Sequence, residues 1–255
     1  MFEFVKQMTR TALRKMGYEL RSFNPNSSKI AQLIYSLNHF GIDCVLDIGA
    51  NTGQFASAIR QNGFKHQIVS FEPLTSAHDL LSRAAANAHK WEVYERCAMG
   101  DRAGKSKINI AANSVSSSLL PMMQSHSNAA PNSSYIGLET VPLKTIDSIF
   151  PVYFKKFSNI FLKIDAQGFE TQILAGSLGS LPKIKGVLLE ISLVSLYEGQ
   201  ELWEDILLRM KSAGFVLWAI QPGFTDGQNG RTYQVDGIFF AKWALKNSSS
   251  VDTHV

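Results

Sequence analysis

Short apolar runs alternate with stretches of helical spacing along most of this 255-residue chain. Segments 44–48, 67–71, 91–97, 159–164 and 186–191 are rich in Val, Ile, Leu and Phe and are bounded by Gly or polar residues, as buried strands are. Between them, 54–61, 76–88 and 168–175 carry apolar residues at intervals of three and four, which predicts helices. Ahead of the first strand, Ile30, Leu33, Ile34 and Leu37 share one face of a helix over 29–40, with Ser27 or Ser28 placed to cap it. A helix over 201–213 precedes two further runs, 215–220 and 237–243, that read as a closing hairpin. The alternation predicts an α/β protein with a doubly wound, mostly parallel sheet of seven strands and helices on both faces.

Three regions depart from that rhythm. From 104 to 147 a β-like piece (107–111) leads into a Ser/Asn/Pro-rich stretch and then a second apolar run (138–146). An insertion of this length beside the ligand edge of a sheet reads as a flap over cofactor or acceptor, with disorder over 124–134 as the alternative. At the N-terminus, Phe2, Val5, Met8, Ala12 and Met16 can share a helix face, with Lys6, Arg10, Arg14 and Lys15 around the rest. Such a basic amphipathic arm (1–28, including a linker at 21–28) suits an anionic membrane surface, its own domain or a second subunit of a homo-oligomer. The main domain then spans 29–246, and 247–255 reads as a flexible tail.

The chemistry concentrates where the first strand ends, in Val45-Leu46-Asp47-Ile48-Gly49-Ala50-Asn51-Thr52-Gly53. Gly49 and Gly53 permit a sharp turn and close approach to a ligand. The second strand ends Val69-Ser70-Phe71-Glu72-Pro73, and Glu72 falls roughly 20 residues after Gly53, where a nucleotide-binding βαβ unit presents a carboxylate to ribose hydroxyls. A dinucleotide site would read G-x-G-x-x-G; this chain reads D-x-G-x-N-x-G. An acid at the strand end is a poor neighbour for pyrophosphate and a good one for a cation, so Asp47 suits the sulfonium and ammonium of S-adenosylmethionine. A generic α/β turn with a chance acid is the bland alternative.

Further segments occur in a telling order: Ala98-Met99-Gly100-Asp101 after the third strand, Ser116-Ser117-Ser118 in the polar loop, and Leu162-Lys163-Ile164-Asp165-Ala166-Gln167-Gly168-Phe169-Glu170 at the fourth. With the first two motifs, from about Val45 to about Phe240, they resemble the FkbM family of S-adenosylmethionine-dependent methyltransferases. The resemblance implies an antiparallel last strand. It also implies cofactor contacts at Asp47, Gly49, Ala50, Asn51 and Gly53, at Glu72 and Pro73, at Ala98, at Ser117 and at Asp165. It departs in one place: the family's usual Asp-Val-Glu-Gly is Asp165-Ala166-Gln167-Gly168, which keeps the reach of Glu and loses its charge.

Methyl transfer needs an acceptor held close and relieved of its proton. Asp165, at the carboxyl end of its strand, is placed to contact cofactor or acceptor. Lys163 shares its strand face and either orients Asp165, acts as a base if its pKa is lowered, or forms a buried ion pair that only orders the strand end. Glu190 ends the next strand and is a general base, a partner of Asp165 in a metal site, or a turn cap. Asp101 either meets the adenine amino group or caps a turn. The six histidines show no triad or metal spacing; His126, in the flap, is the one placed to meet an acceptor.

Composition adds limits. The net charge of +4 is mild, and no long basic stripe interleaved with aromatics suggests nucleic acid. Cys44 and Cys97 lie in or beside apolar strands and read as buried thiols, without a disulfide framework. The N-terminus lacks signal-peptide character and no run of 18 apolar residues occurs, so the expected location is cytoplasmic, with the inner membrane face as an addition. The expected activity is O-methylation, with the family resemblance implying small-molecule or glycan hydroxyls, including lipid-linked sugars. The rivals are an NAD-dependent oxidoreductase, for which Tyr153 with Lys155 and Lys156 is a superficial match outside any convincing helix, and a binding module with a vestigial crevice.

Overall fold

The computed structural model describes residues 2–245; the predicted tail lies outside them. Helix α1 (Phe2–Lys15) forms the arm, with Met8 and Met16 about 60% exposed (60% and 63%). Helix α2 (Lys29–His39) starts at Ser28, whose hydroxyl accepts from the Ala31 N–H, one of the donors a helix start leaves free. Strand β1 (Cys44–Ile48), helix α3 (Gln54–Gln61), strand β2 (Gln67–Phe71), helix α4 (Thr75–Ala85) and strand β3 (Trp91–Val93) follow. Before the next strand of the main sheet come β4 (Ala98–Met99), β5 (Gly104–Ala111), α5 (Gln124–Ala129), β6 (Tyr135–Lys144) and α6 (Ile146–Phe154). The chain then returns to the sheet through β7 (Ile160–Ile164), α7 (Glu170–Ala175), β8 (Gly186–Ser192), α8 (Trp203–Ser212), β9 (Phe215–Pro222), β10 (Gln234–Ala241) and α9 (Lys242–Leu245).

The main sheet has seven strands in the order β3-β2-β1-β7-β8-β10-β9. All neighbours pair in parallel until β10, which runs antiparallel to both β8 and β9. β1 and β7 are buried along their whole length, which is why both read as nearly continuous apolar runs. The order steps from β1 outward in opposite directions, so a crevice opens above the carboxyl ends of β1 and β7. Leu37, Leu46, Phe161 and Phe240 are among the fully buried side chains, with the Phe40 and Phe240 rings stacked at 3.7 Å. Each such residue contributes about 1.5–3 kcal/mol by leaving water.

Two expectations and one alternative need correction. The run at 91–97 is not one strand: after Val93 it leaves the sheet, and Arg96 ties it to Pro73 O and Glu139 Oε1, both at 2.8 Å, so that 98–99 joins a second sheet of order β4-β6-β5. The region 124–134 is ordered into α5 and a 3-10 turn (Pro131–Ser133), with the Ser133 hydroxyl donating to Ala130 O at 2.6 Å. Tyr153 does stand on a helix: α6 tolerates Pro151 and is capped by Thr145, which accepts from the Ser148 N–H. Tyr153 is buried and its hydroxyl donates to Oε1 of the exposed Glu92 at 2.9 Å, away from the crevice.

Candidate active site

Parallel register sets a polar row across the three central strands. Asp47 on β1 lies opposite Ser70 on β2 and Lys163 on β7. Ser70 Oγ donates to Asp47 Oδ2 at 3.0 Å, and Lys163 Nζ stands 3.2 Å from Asp47 Oδ1. The same ammonium donates to the carbonyls of Ile48 (3.2 Å) and Gly49 (3.0 Å) and reaches Asp165 Oδ2 at 3.5 Å. Burial by itself would lower the Lys163 pKa; Asp47, Asp165 and Glu190 override it and hold the pKa above the usual lysine range. Lys163 is therefore a fixed cation between two acids. Asp47 is fully buried and stands behind Lys163, off the cavity wall; Asp165, its side chain 38% exposed, is the acid that reaches the cavity.

The turn after β1 is shaped by two glycines for different reasons. A Cβ on Gly49 (φ +72°) would lie 1.8 Å from the carbonyl oxygen of Asp165, so the crossing of the β1 and β7 ends excludes any side chain there. Gly53 (φ +90°) starts α3 with its Cα against the Trp91 ring, where a Cβ would approach to 2.9 Å; it does not line the cavity. Asn51, at φ +47°, donates its N–H to Glu72 Oε2 at 2.8 Å, and the Leu74 N–H donates to Glu72 Oε1 at 2.9 Å. Each carboxylate oxygen retains lone-pair capacity towards the cavity. Burial pushes the Glu72 carboxyl up to about 7 despite these two bonds.

The opposite end is acidic. Gln167, at φ +52° in the turn after β7, donates Nε2 to Asp165 Oδ1 (2.9 Å) and Glu190 Oε2 (2.8 Å). Glu190 pairs across the sheet with Asp236 of β10. Burial, then Asp165, Glu170 and Asp236, raise the Glu190 pKa well above the carboxylate norm, and burial with Asp165 raises Asp236 to about 6. Glu170 anchors the turn instead, its Oε1 accepting from the N–H groups of Ala166 (2.9 Å) and Gly168 (3.2 Å). Among the described residues no group of three or more His, Cys, Asp or Glu is arranged to hold a metal ion.

One cavity of about 680 Å³ joins the two ends, within the range of ~300–1,000 Å³ typical of small-molecule sites. Gly49, Ala50, Asn51, Glu72, Pro73, Ala98, Ser117, Lys163, Asp165 and Glu190 all line it. The flap supplies Asn113 to Leu119 and closes on both ends: Asn51 Nδ2 donates to Ser114 Oγ (3.2 Å), and Ser118 Oγ donates to the Gln167 carbonyl (2.6 Å). Asp101 is exposed beside Arg102 and does not line the cavity. His126 does. Its ring is buried edge-on against Tyr197 at 5.1 Å, and burial lowers its pKa, leaving a neutral imidazole. Cys44 and Cys97 are free buried thiols, both pushed up by burial, Cys97 to about 12.

Sequence reasoning passed over Asp236, Tyr197 and Glu170 and treated Gln167 as a departure rather than a participant. Asp236 had a signal, a lone acid in an apolar strand; its pairing with Glu190 depends on register that no local pattern carries. The cavity fits S-adenosylmethionine: Glu72 has free acceptor capacity that ribose hydroxyls could use, Phe71, Leu74 and Cys97 offer an apolar wall that adenine could use, and Asp165 adds an acid to the lining that suits a cation.

A doubly wound sheet with this order and a crevice of this chemistry defines an S-adenosylmethionine-dependent methyltransferase. The family model described as the methyltransferase FkbM domain matches residues 47–217, and the chain belongs to that family. No curated protein sequence matches it. Among solved structures, magnesium protoporphyrin IX methyltransferase from Synechocystis PCC 6803, with bound S-adenosylmethionine, is similar at 10% identity and a TM-score of 0.45, over 83% of this chain and 77% of that one. A TehB-like S-adenosylmethionine-dependent methyltransferase from Corynebacterium glutamicum is similar at 14% identity and a TM-score of 0.39, over 94% and 97%. No helix of the described residues is long and apolar enough to cross a membrane.

Proposed function

We propose that the enzyme methylates a hydroxyl oxygen of a small-molecule or glycan acceptor, with Glu190 as proton acceptor. The observation that carries this reading is a carboxyl of raised pKa lining the cavity at the carboxyl end of β8, beside Asp165 and across the cavity from the Glu72 cradle. A hydroxyl is a weak nucleophile until its proton has somewhere to go, and a carboxylate whose pKa is raised is a stronger base than an ordinary one. Bound S-adenosylmethionine supplies an electrophilic methyl group. Glu72 and the 49–51 backbone would hold it. Glu190 would take the proton of the acceptor hydroxyl, leaving that oxygen as the nucleophile for the methyl group the cofactor would supply. Lys163 is already protonated and bound to carbonyls, so its part is to fix Asp165.

The test is methyl uptake from labelled cofactor into a panel of sugars, lipid-linked sugars and small alcohols, with amines alongside. Glu190→Gln is expected to lower turnover by about 10²–10⁴-fold while leaving S-adenosylhomocysteine affinity unchanged. Uptake only into amines, or a Glu190→Gln enzyme with full turnover, would sink the reading.

A further inference from the structure

Two carboxylates converge on one point in this cavity, and that point is filled by an amide. Asp165 Oδ1 and Glu190 Oε2 each accept from Gln167 Nε2, so both N–H bonds of the amide are used. Gln167 Oε1 accepts from the Tyr197 hydroxyl at 2.9 Å, and the Gln167 carbonyl accepts from Ser118 Oγ at 2.6 Å. The amide cannot be reversed, because Oε1 would then face two acids. The residue is also held at φ +52°, a conformation that costs a non-glycine residue about 1 kcal/mol or more and persists only where its surroundings fix it. Three hydrogen bonds to the carboxamide and one to the residue's backbone carbonyl thus hold the side chain in the gap between two acids.

Converging carboxylates in a partly enclosed cavity need a proton, a cation or directed N–H donors between them. Gln167 provides the third. A carboxylate at the same position, the residue usual in the family that this sequence resembles, would make three converging acids, the all-oxygen set that suits Mg²⁺ or Ca²⁺. We propose that the Gln167 carboxamide stands in for a divalent cation between Asp165 and Glu190: it is a positioning residue that aligns both acids on the acceptor end and leaves no metal site there. Its consequence for catalysis rests on the reading of Glu190 as the base; its consequence for cation binding does not.

Mn²⁺ titration followed by electron paramagnetic resonance, with thermal melts in the presence and absence of Mg²⁺, tests this on the full chain. Wild-type protein should show no Mn²⁺ site that depends on Glu190 and no Mg²⁺-dependent melting shift. Gln167→Glu should bind Mn²⁺ about tenfold or more tightly than wild type, lose that gain when Glu190→Gln is added, and melt higher with Mg²⁺. If Gln167→Glu fails to fold without metal, recovery by Mg²⁺ supports the proposal and absence of recovery overturns it. It is likewise overturned if wild type binds Mn²⁺ through Glu190, or if Gln167→Glu gains no affinity. Full methyl transfer by Glu190→Gln would instead overturn the assigned base and leave the cation result standing.

Discussion

The two ends of the cavity are built on opposite principles. At the end proposed for the cofactor, the lining comes mainly from the turns that follow neighbouring strands, and the acid there, Glu72, is held by two backbone N–H groups. At the acceptor end, Asp165, Glu190 and Asp236 come from three strands, and side chains rather than backbone separate their charges. A backbone cradle can hold a constant ligand with little dependence on neighbouring side chains. A side-chain network can be retuned by one substitution, which suits an end that meets a variable acceptor. The ends touch at Gly49 and Lys163, and the strongest tests of their independence lie there.

Gly49→Ala should have the largest effect. Its Cβ would overlap the Asp165 carbonyl, a backbone atom that cannot move without shifting β7. The expected loss is about 4 kcal/mol or more, with S-adenosylhomocysteine binding abolished in calorimetry. Retained binding at full affinity would mean that the crossing of β1 and β7 is looser than this geometry requires.

Lys163→Met comes next, because it leaves Asp47 fully buried without a cation. Removing one member of a buried pair costs about 3–5 kcal/mol, whereas replacing both by apolar groups is often neutral. The expected pattern in denaturant melts is therefore a severe loss for Lys163→Met and substantial recovery for Lys163→Met with Asp47→Leu. If the double variant also recovered cofactor affinity, the pair only orders the strand end. If stability returned without affinity, Lys163 is needed to present Asp165.

The difference between the ends also decides what could be read from sequence. The end proposed for the cofactor was legible because each of its motifs is local: Asp47 to Gly53 declares a turn and Glu72 to Pro73 an acid, each at the end of one strand. Even there, the direction in which Asp47 faces was not, since its partners Ser70 and Lys163 are set by strand register. The acceptor end needed the pairing of Glu190 with Asp236, the route of the flap, and Tyr197 packed beneath Gln167. None of these is local. Most boundaries in the sheet were legible because two-sided burial makes apolar runs; α6 was not, because Pro151 reads as a breaker.

The pH dependence of cofactor binding sharpens the contrast. Burial raises the Glu72 carboxyl in the folded protein from its ordinary value of 4.5 to about 7. Its protonated form is thus favoured by folding, and this contribution to stability is present below pH 4.5 and lost as pH rises through about 7. Ribose hydroxyls held at Glu72, as proposed, would instead donate to its ionised form. S-adenosylhomocysteine affinity should therefore rise between pH 6 and 8, by about tenfold, and Glu72→Gln should bind weakly with a flat profile. A slope unchanged in Glu72→Gln would move the titrating group elsewhere.

The smallest expected effect is the cleanest probe of separation. The Tyr197 hydroxyl lies 2.9 Å from Gln167 Oε1 and 3.2 Å from the Ser116 carbonyl, so it joins the acceptor turn to the flap without touching the cofactor cradle. Tyr197→Phe keeps the buried ring against His126 and removes only this donor. The stability loss should be about 1 kcal/mol, the usual net worth of a neutral hydrogen bond. Released on one side, the Gln167 amide would hold Asp165 and Glu190 less firmly, so turnover should fall modestly while S-adenosylhomocysteine affinity stays within error of wild type. A drop in cofactor affinity as large as the drop in turnover would show that the flap couples both ends, and that the Ser114 contact to Asn51 transmits what happens at Gln167.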